Sequence, residues 1–377
     1  MPILQQIDKT YTLWRKKKFL FWGGYDYFRL SWHPEIIAAL NRSNNIYGIN
    51  SSGSRATTGN HPLHVELENK LAEFFDTDSA VLLPTGYLAN IALLQSIHTK
   101  YNKIFVDENI HASIIDAIKL TNKKVEKFKS LDANDLKIKM ETYCKSDTRP
   151  LIITEGVGLT MNGNIPPLDK YLKLAKQFNG TVISDDAHSV GILGKTGKGT
   201  WEHFNLSRKN LIQVGTLSKA FGVYGGFVVG KKELIRKIKN SNVYIGSSAF
   251  PLPLCKASIK SLQILKNNQQ MILDLQKRSL NFKKRLNEIG FNVNISPTPV
   301  INLSFKDENI NQILKNILVE SKIYPSFIKY LNGPKKGYFR FALSSEHSDE
   351  QIEKLYSCLK KFKRLTTNNT KIPQGTQ

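Results

Sequence analysis

Cysteine is scarce in this chain of 377 residues, with only Cys144, Cys255 and Cys358 present. Their number is odd and no CxxC spacing occurs, which excludes a disulfide framework and points to a reducing compartment, the cytoplasm, with buried and unreactive thiols. Long apolar runs are missing too. None approaches the roughly 18 to 20 residues that a membrane-spanning helix needs, so no stable membrane insertion is expected. No secretory leader is expected, because Arg15, Lys16, Lys17 and Lys18 follow the first apolar residues instead of preceding them. The run Phe19-Leu-Phe-Trp22 beside that cluster could touch a membrane surface, but core packing is the expectation. Acids are few: Asp and Glu total 31 against 54 Lys and Arg, a formal net charge of +23. Such a surplus favours acidic partners without naming one. Aromatic and basic residues are not interleaved in any nucleic-acid module, so no nucleic-acid binding is expected.

No internal repeat is visible. Instead the apolar periodicity switches repeatedly between helical and strand-like spacing, and with 41% hydrophobic residues the chain can bury two or three packed units. Leu63, Leu67, Leu71 and Phe74 sit at helical spacing over 62–75. Short β-rich runs begin at Ala80, Lys103, Leu151, Thr181, Leu211 and Gly226, most followed by a polar or glycine-rich turn and a helical stretch. This is the pattern of an α/β protein with a mainly parallel central sheet wrapped by helices. From 232 to 286 the chain reads as lysine-rich helix, interrupted near 246–253 and leading into a smaller α+β unit with strands at 300–305 and 338–343 and helices at 309–321 and 349–365. The expected division is an N-terminal segment 1–45, a large domain 46–270, a small C-terminal domain 271–365 and a disordered tail 366–377.

Four segments carry chemistry. The strand Thr181-Val-Ile-Ser runs into Asp185-Asp186-Ala187-His188, and ligands of open α/β sheets bind beyond the carboxyl ends of strands. An Asp there is equally a turn former or helix cap. Lys219, in Thr216-Leu-Ser-Lys219-Ala-Phe-Gly, sits among small and hydroxyl residues at a strand exit, where partial desolvation frees an amine for carbonyl chemistry; alone it reads as a surface charge. Together the acid and the lysine are the two anchors that pyridoxal phosphate requires, one for the pyridine nitrogen and one for the aldehyde. Thr85-Gly86-Tyr87 opens a helix whose main-chain N–H groups can cradle a phosphate, although such turns are common. His111 follows a strand and can stack on a flat cofactor, or simply begin a helix.

In this order the segments resemble the α-oxoamine synthases, a family of fold-type I pyridoxal phosphate enzymes. The resemblance runs from about Tyr27 to Glu346 and rests on Gly53-Ser-Arg-Ala-Thr-Thr-Gly-Asn-His-Pro-Leu-His-Val-Glu-Leu-Glu68, Asp185-Asp-Ala-His188 and Thr216-Leu-Ser-Lys219. It implies that Lys219 holds the cofactor's aldehyde and later removes the substrate's Cα proton, that Asp185 pairs with the ring nitrogen, and that His188 bonds the ring oxygen. By the same resemblance His111 and Ala187 flank the ring, Gly86, Tyr87 and Thr216 hold the phosphate, and Ser248 supplies a phosphate contact to a neighbouring subunit in a homodimer with a shared site. Arg340 corresponds to the arginine that grips the amino acid's carboxylate. The implied reaction is decarboxylative condensation of a small amino acid with an acyl thioester, on coenzyme A or an acyl carrier protein, to an α-amino ketone. No metal is implied.

The chain departs from the family in two places. Tyr25 stands where the family has the Asn that helps hold the carboxylate, with Arg29 for a Gly, which leaves the amino acid open. The segment 154–163 is one residue longer than the family's, with Thr160 in place of Ser. Two further readings stay open: an aminotransferase or C–C lyase on the same fold, since the Asp/Lys pair serves all of them, and a catalytically silent binding subunit, against which intact Lys219, Asp185 and His188 argue.

Overall fold

The structure is a computed structural model and describes residues 2–158, 162–329 and 333–368. Its contacts divide into two units, one made of 1–29, 159–163 and 274–377 and the other of 30–158 and 164–273. The division thus falls at 29/30 and 273/274, where the sequence suggested 45/46 and 270/271.

The chain opens with a small antiparallel sheet, β1 (Gln5–Gln6), β2 (Tyr11–Trp14) and β3 (Lys17–Leu20), which composition did not announce. Arg15 and Lys16 turn the β2–β3 hairpin with φ of 51° and 61°, and no glycine or asparagine marks that turn in the sequence. Phe19, Leu20 and Trp22 are buried, so the apolar run beside the basic cluster is core rather than membrane-facing.

The larger unit holds α1 (Pro34–Tyr47), α2 (Pro62–Phe74) and a seven-stranded sheet. Its strands are β4 (Ser79–Leu83), β5 (Lys103–Asp107), β6 (Val125–Phe128), β7 (Pro150–Glu155), β8 (Thr181–Asp185), β9 (Leu211–Thr216) and β10 (Gly226–Gly230). They lie in the order β4-β10-β9-β8-β7-β5-β6, parallel except for β10, which is antiparallel to both its neighbours. Between them run α3 (Gly86–Ile97), α4 (Ala112–Lys119), α5 (Ala133–Tyr143) and α6 (Leu168–Gln177). Alternate residues of the central strands feed two different cores. Ile104, Val106, Leu151, Ile153 and Ile183 pack with α3 and α4, while Phe105, Ile152 and Val182 pack with α5 and α6. Burial on both faces is why these strands read as continuous apolar runs. The strand the sequence did not mark is β6, Val-Glu-Lys-Phe, which closes the sheet's edge and needs only Phe128 fully buried.

Beyond β10 the helical stretch is broken into α7 (Lys232–Lys239), α8 (Asn242–Gly246), α9 (Leu252–Asn267) and α10 (Gln269–Glu288), the last two separated at Asn268. The smaller unit continues with β11 (Val300–Leu303), α11 (Glu308–Glu320), β12 (Phe327–Ile328), β13 (Tyr338–Ala342) and α12 (Asp349–Asn368), its sheet ordered β11-β13-β12. Thr366 still belongs to the last helix, and 369–377, most of the tail expected to be disordered, lie outside the described residues. The N-terminal residues are integral to this unit. Leu20 N–H donates to Lys322 C=O, Ala342 N–H donates to Trp22 C=O, and the Trp22 ring stacks on His347 at 3.9 Å between centroids.

Lys283 on α10 is 1% exposed. Its Nζ donates to the carbonyls of Ser296 (3.2 Å) and Thr298 (2.7 Å) and reaches both hydroxyls at 2.9 and 3.1 Å. Those hydroxyls in turn donate to the Gly163 carbonyl at 3.2 and 2.8 Å. Burial pulls the lysine's pKa from 10.5 down to about 7. The folded chain therefore binds this proton more weakly than the unfolded chain, so stability rises with pH between about 7 and 10.5 and is flat below. In Lys283→Met that part of the rise is gone. The difference in Tm, mutant minus parent, falls as pH is raised from 7 to 10; parallel curves would mean that the amine titrates normally.

Candidate active site

Three strand ends and a helix start converge on one cavity of about 190 Å³ in the larger unit. Asp185 ends β8, Glu155 ends β7, Thr216 ends β9, and Gly86 and Tyr87 begin α3; all line the cavity with His111, Ala187, His188 and Lys219. Larger hollows of about 450 and 600 Å³ elsewhere in the unit gather no imidazole with their lysines.

Of the two adjacent acids only Asp185 faces the cavity. One oxygen accepts from Asn90 Nδ2 at 2.7 Å and the other from the Ala187 N–H at 3.0 Å. Asp186 turns the other way and is consumed by Ser184 Oγ (2.6 Å), Thr200 N and Oγ1 (3.0 and 2.9 Å) and Gln213 Nε2 (2.6 Å). It is a buried structural acid that fixes the turn after β8.

Lys219 lies in the turn between β9 and β10. Leu217 N–H donates to Gly225 C=O and Gly222 N–H to Lys219 C=O, both at 2.9 Å, which folds the turn back on itself. Lys219 Nζ reaches His188 Nε2 at 2.5 Å. Thr216 Oγ1 donates to Gly225 C=O at 2.6 Å and accepts from Ser218 N–H at 3.1 Å. Gly226 is required because a Cβ there would lie 2.3 Å from the Thr85 carbonyl. That close approach seats the start of α3, capped by Thr85 Oγ1 accepting from Leu88 N–H, against Thr216.

His111 caps α4, its Nδ1 accepting from Ser113 N–H at 3.2 Å. Burial lowers its pKa, Asp185 opposes the drop and Lys219 reinforces it. The Tyr87 ring stands edge-on to it at 6.4 Å, and the Tyr87 hydroxyl donates to Asp116. Glu155 pairs in register with Asp185 on the neighbouring strand. Burial, followed by repulsion from Asp185, pushes its carboxyl well above the usual range.

Ser248 is not among the residues lining this cavity; it forms a single antiparallel bridge with Ser54. Tyr25 and Arg340 belong to the smaller unit, where the guanidinium lies 4.6 Å from the tyrosine ring centre. Thr160 lies outside the described residues. Sequence reasoning missed Asn90, Ser113, Glu155 and Val157 as lining residues. A signal existed for two of them: Asn90 lies one helical turn beyond Gly86, and Glu155 ends an apolar strand as Asp185 does.

The family described as aminotransferase class I and II matches residues 18–359. The chain belongs to this family. The 8-amino-7-oxononanoate synthase 1 of Bacillus velezensis is 33% identical over 331 residues, which cover 87% of this chain and 84% of that one. Serine palmitoyltransferase of Sphingomonas wittichii superposes with a TM-score of 0.91 at 25% identity, over 99% of this chain and 93% of that one. The crystal structure of 8-amino-7-oxononanoate synthase from Francisella tularensis gives 0.79 at 28% identity, over 93% and 99%. Within its family the chain falls among the α-oxoamine synthases, pyridoxal 5'-phosphate-dependent acyltransferases of fold type I.

The donor set fits that cofactor. A helix start at one end of the cavity suits a phosphate, an oriented carboxylate suits a protonated ring nitrogen, and a lysine amine beside an imidazole suits an aldehyde and its neighbouring ring oxygen. Borohydride treatment of the loaded protein is expected to fix the cofactor on the peptide containing Lys219. Lys219→Ala loses that mass addition with its melting temperature unchanged; a labelled peptide persisting in the mutant would mean that another lysine is the attachment point.

Proposed function

We propose that the chain condenses a small amino acid with an acyl thioester, releasing CO2 and the free thiol and giving an α-amino ketone, as an enzyme most like 8-amino-7-oxononanoate synthase. The observation that carries this reading is the approach of Lys219 Nζ to His188 Nε2, at 2.5 Å, in a cavity also lined by the oriented Asp185 carboxylate. When bound, pyridoxal phosphate supplies an electron sink that makes the amino acid's α-carbon acidic and lets its carboxylate depart as CO2.

The chain's own residues do the rest. Lys219 would hold the cofactor's aldehyde, and its Nζ would be the base for the Cα proton. His188 keeps that nitrogen in place and offers its ring N–H to an oxygen. Asp185, held by two neutral donors, keeps the ring nitrogen protonated. His111 and Ala187 sandwich the ring. Gly86, Tyr87 and Thr216 hold the phosphate, completed by Ser248 from a second copy of the chain. Exposed Ile46 and Ile49, at 69% and 70%, are consistent with such a homodimer. No helix among the described residues is long and apolar enough to cross a membrane, and we assign the enzyme to the cytoplasm.

Arg340 holds the amino acid's carboxylate. Its stacking on Tyr25 fixes the plane of the guanidinium while leaving an N–H edge for a bidentate contact. The thioester is carried by coenzyme A or an acyl carrier protein.

The deciding experiment measures labelled CO2 from carboxyl-labelled alanine, glycine and serine, each with and without a panel of acyl thioesters. Release that requires both partners is expected. Conversion of the bound cofactor by an amino acid alone, without CO2, would make the chain a transaminase instead. Arg340→Ala raises the amino acid KM by about tenfold or more and leaves the thioester KM nearly unchanged; equal rises would assign Arg340 a structural role.

A further inference from the structure

Two side chains that the reaction scheme leaves unused line the cavity from α3 and α4. Asn90 and Ser113 are 3% and 1% exposed and carry no charge, yet they join Asp185 to His111 through a continuous set of hydrogen bonds. Asn90 Nδ2 lies 2.7 Å from Asp185 Oδ2 and 3.0 Å from Ser113 Oγ, and Ser113 Oγ lies 2.8 Å from His111 Nδ1.

The direction of every bond in this chain follows from proton counting. An amide nitrogen has two hydrogens and accepts nothing, so Asn90 donates one to the carboxylate and the other to the serine oxygen. Ser113 Oγ therefore accepts from Asn90 and keeps its single hydrogen available for His111 Nδ1. The Ser113 main-chain N–H, which can only donate, points at the same Nδ1 from 3.2 Å. Nδ1 must then carry a lone pair, and the His111 proton resides on Nε2. Burial, with Asp185 opposing and Lys219 adding to it, also lowers the basicity of this imidazole, in keeping with a neutral ring.

We propose that Asn90 and Ser113 are positioning residues: Asn90 orients the Asp185 carboxylate with a neutral donor, and through Ser113 the same side chain fixes His111 as the neutral Nε2–H tautomer. The consequence for Asp185 is orientation without neutralisation. A lysine or arginine in Asn90's place would compete with a ring nitrogen for the carboxylate, whereas an amide leaves the negative charge available to the ligand. For His111 the consequence is a neutral ring facing the cavity, so that no second positive charge lies over an electron-poor cofactor. Asn90 is also one helical turn beyond Gly86, about 6 Å along α3. One rigid helix thus sets both the anion-binding start and the carboxylate's partner.

The roles given to Asp185 and His111 rest on the proposed function, but the tautomer does not, and it is measured first in the full chain without cofactor. Nitrogen-15 NMR of histidine-labelled protein, with the His111 signal assigned by its loss in His111→Gln, is expected to report a protonated Nε2 and a bare Nδ1. A protonated Nδ1 would overturn the relay whatever the enzyme's activity. In Ser113→Ala the tautomer preference weakens while pyridoxal phosphate affinity stays within about threefold, because the Asn90–Asp185 bond remains. In Asn90→Leu the affinity for pyridoxal phosphate falls roughly ten- to hundredfold, the loss expected for a bond to a charged group, and the His111 signals shift as well. Native affinity in a folded Asn90→Leu protein would remove the first half of the proposal, and unchanged His111 signals in both variants would remove the second. Labelled CO2 release in the parent enzyme is a separate readout, so failure of the proposed reaction leaves these outcomes interpretable.

Discussion

Under the proposed function one carboxylate must be correctly aimed at the end of a strand that is otherwise buried on both faces. Asp185 is that group, and much of its surroundings can be understood as conditions for its orientation. Its two observed hydrogen bonds come from neutral donors, Asn90 and the Ala187 N–H. Glu155 is its register partner on the adjacent parallel strand, where backbones run about 4.8 Å apart. Two carboxylates at that spacing in a poorly solvated pocket repel each other, which favours the protonated form of a neighbour. Burial, followed by that repulsion, raises the pKa of the Glu155 carboxyl. Asp186, next in sequence, is kept out of the competition by four hydrogen bonds on the far side of the turn.

The antiparallel strand β10 explains how the other end of the cavity is built. It is inserted between β4 and β9, and its first residue, Gly226, pairs with Leu83 on one side and Thr216 on the other. The carboxyl ends of two parallel strands and the start of a reversed one therefore meet at a single glycine. Only a residue without a side chain lets the Thr85 carbonyl approach so closely. The helix start at Gly86 and the hydroxyl of Thr216 face one another as a result. A wholly parallel sheet with the same residues would not bring these two turns together, since β4 and β9 are not neighbours.

The parts of this arrangement that were legible in sequence are those set by local rules. Central strands announce themselves because burial on both faces demands unbroken apolar, β-branched runs, and the acid, the lysine and the helix start follow directly from strand ends. The edge strand β6 and the N-terminal hairpin escaped because half-exposed strands tolerate Glu and Lys. The expected continuous helix through 268 fails at Asn268, whose side chain donates back to the Ile264 carbonyl and caps the preceding helix. For Asn90 only its place one helical turn beyond Gly86 was legible, and not its partners. Its partners Ser113 and Asp185 lie 23 and 95 residues away, and an uncharged amide inside an apolar helix carries no mark of what it will meet. The same holds for Lys283, one of 54 basic residues, which only the fold distinguishes as buried.

The pairing of Tyr25 with Arg340 gives physical content to the chain's departure from its family. An asparagine at position 25 could offer its own hydrogen bond to a carboxylate, whereas a tyrosine ring beneath the guanidinium offers none from its face. What the ring supplies is a cation–π contact of about 0.5 to 2 kcal/mol, which reduces the number of orientations the arginine can take before a ligand arrives. Arg340 sits at the centre of β13, between β11 and β12, so its backbone is already held by the sheet. Stacking then orders the far end of a long side chain, and the entropy lost on gripping a carboxylate falls accordingly. Recognition is thereby shifted, under the proposed function, from two weaker polar contacts to one pre-oriented bidentate contact. Under the proposed function, the bulk of the tyrosine ring beside that contact limits the side chain of the amino acid, which favours the small substrates that the reaction scheme requires.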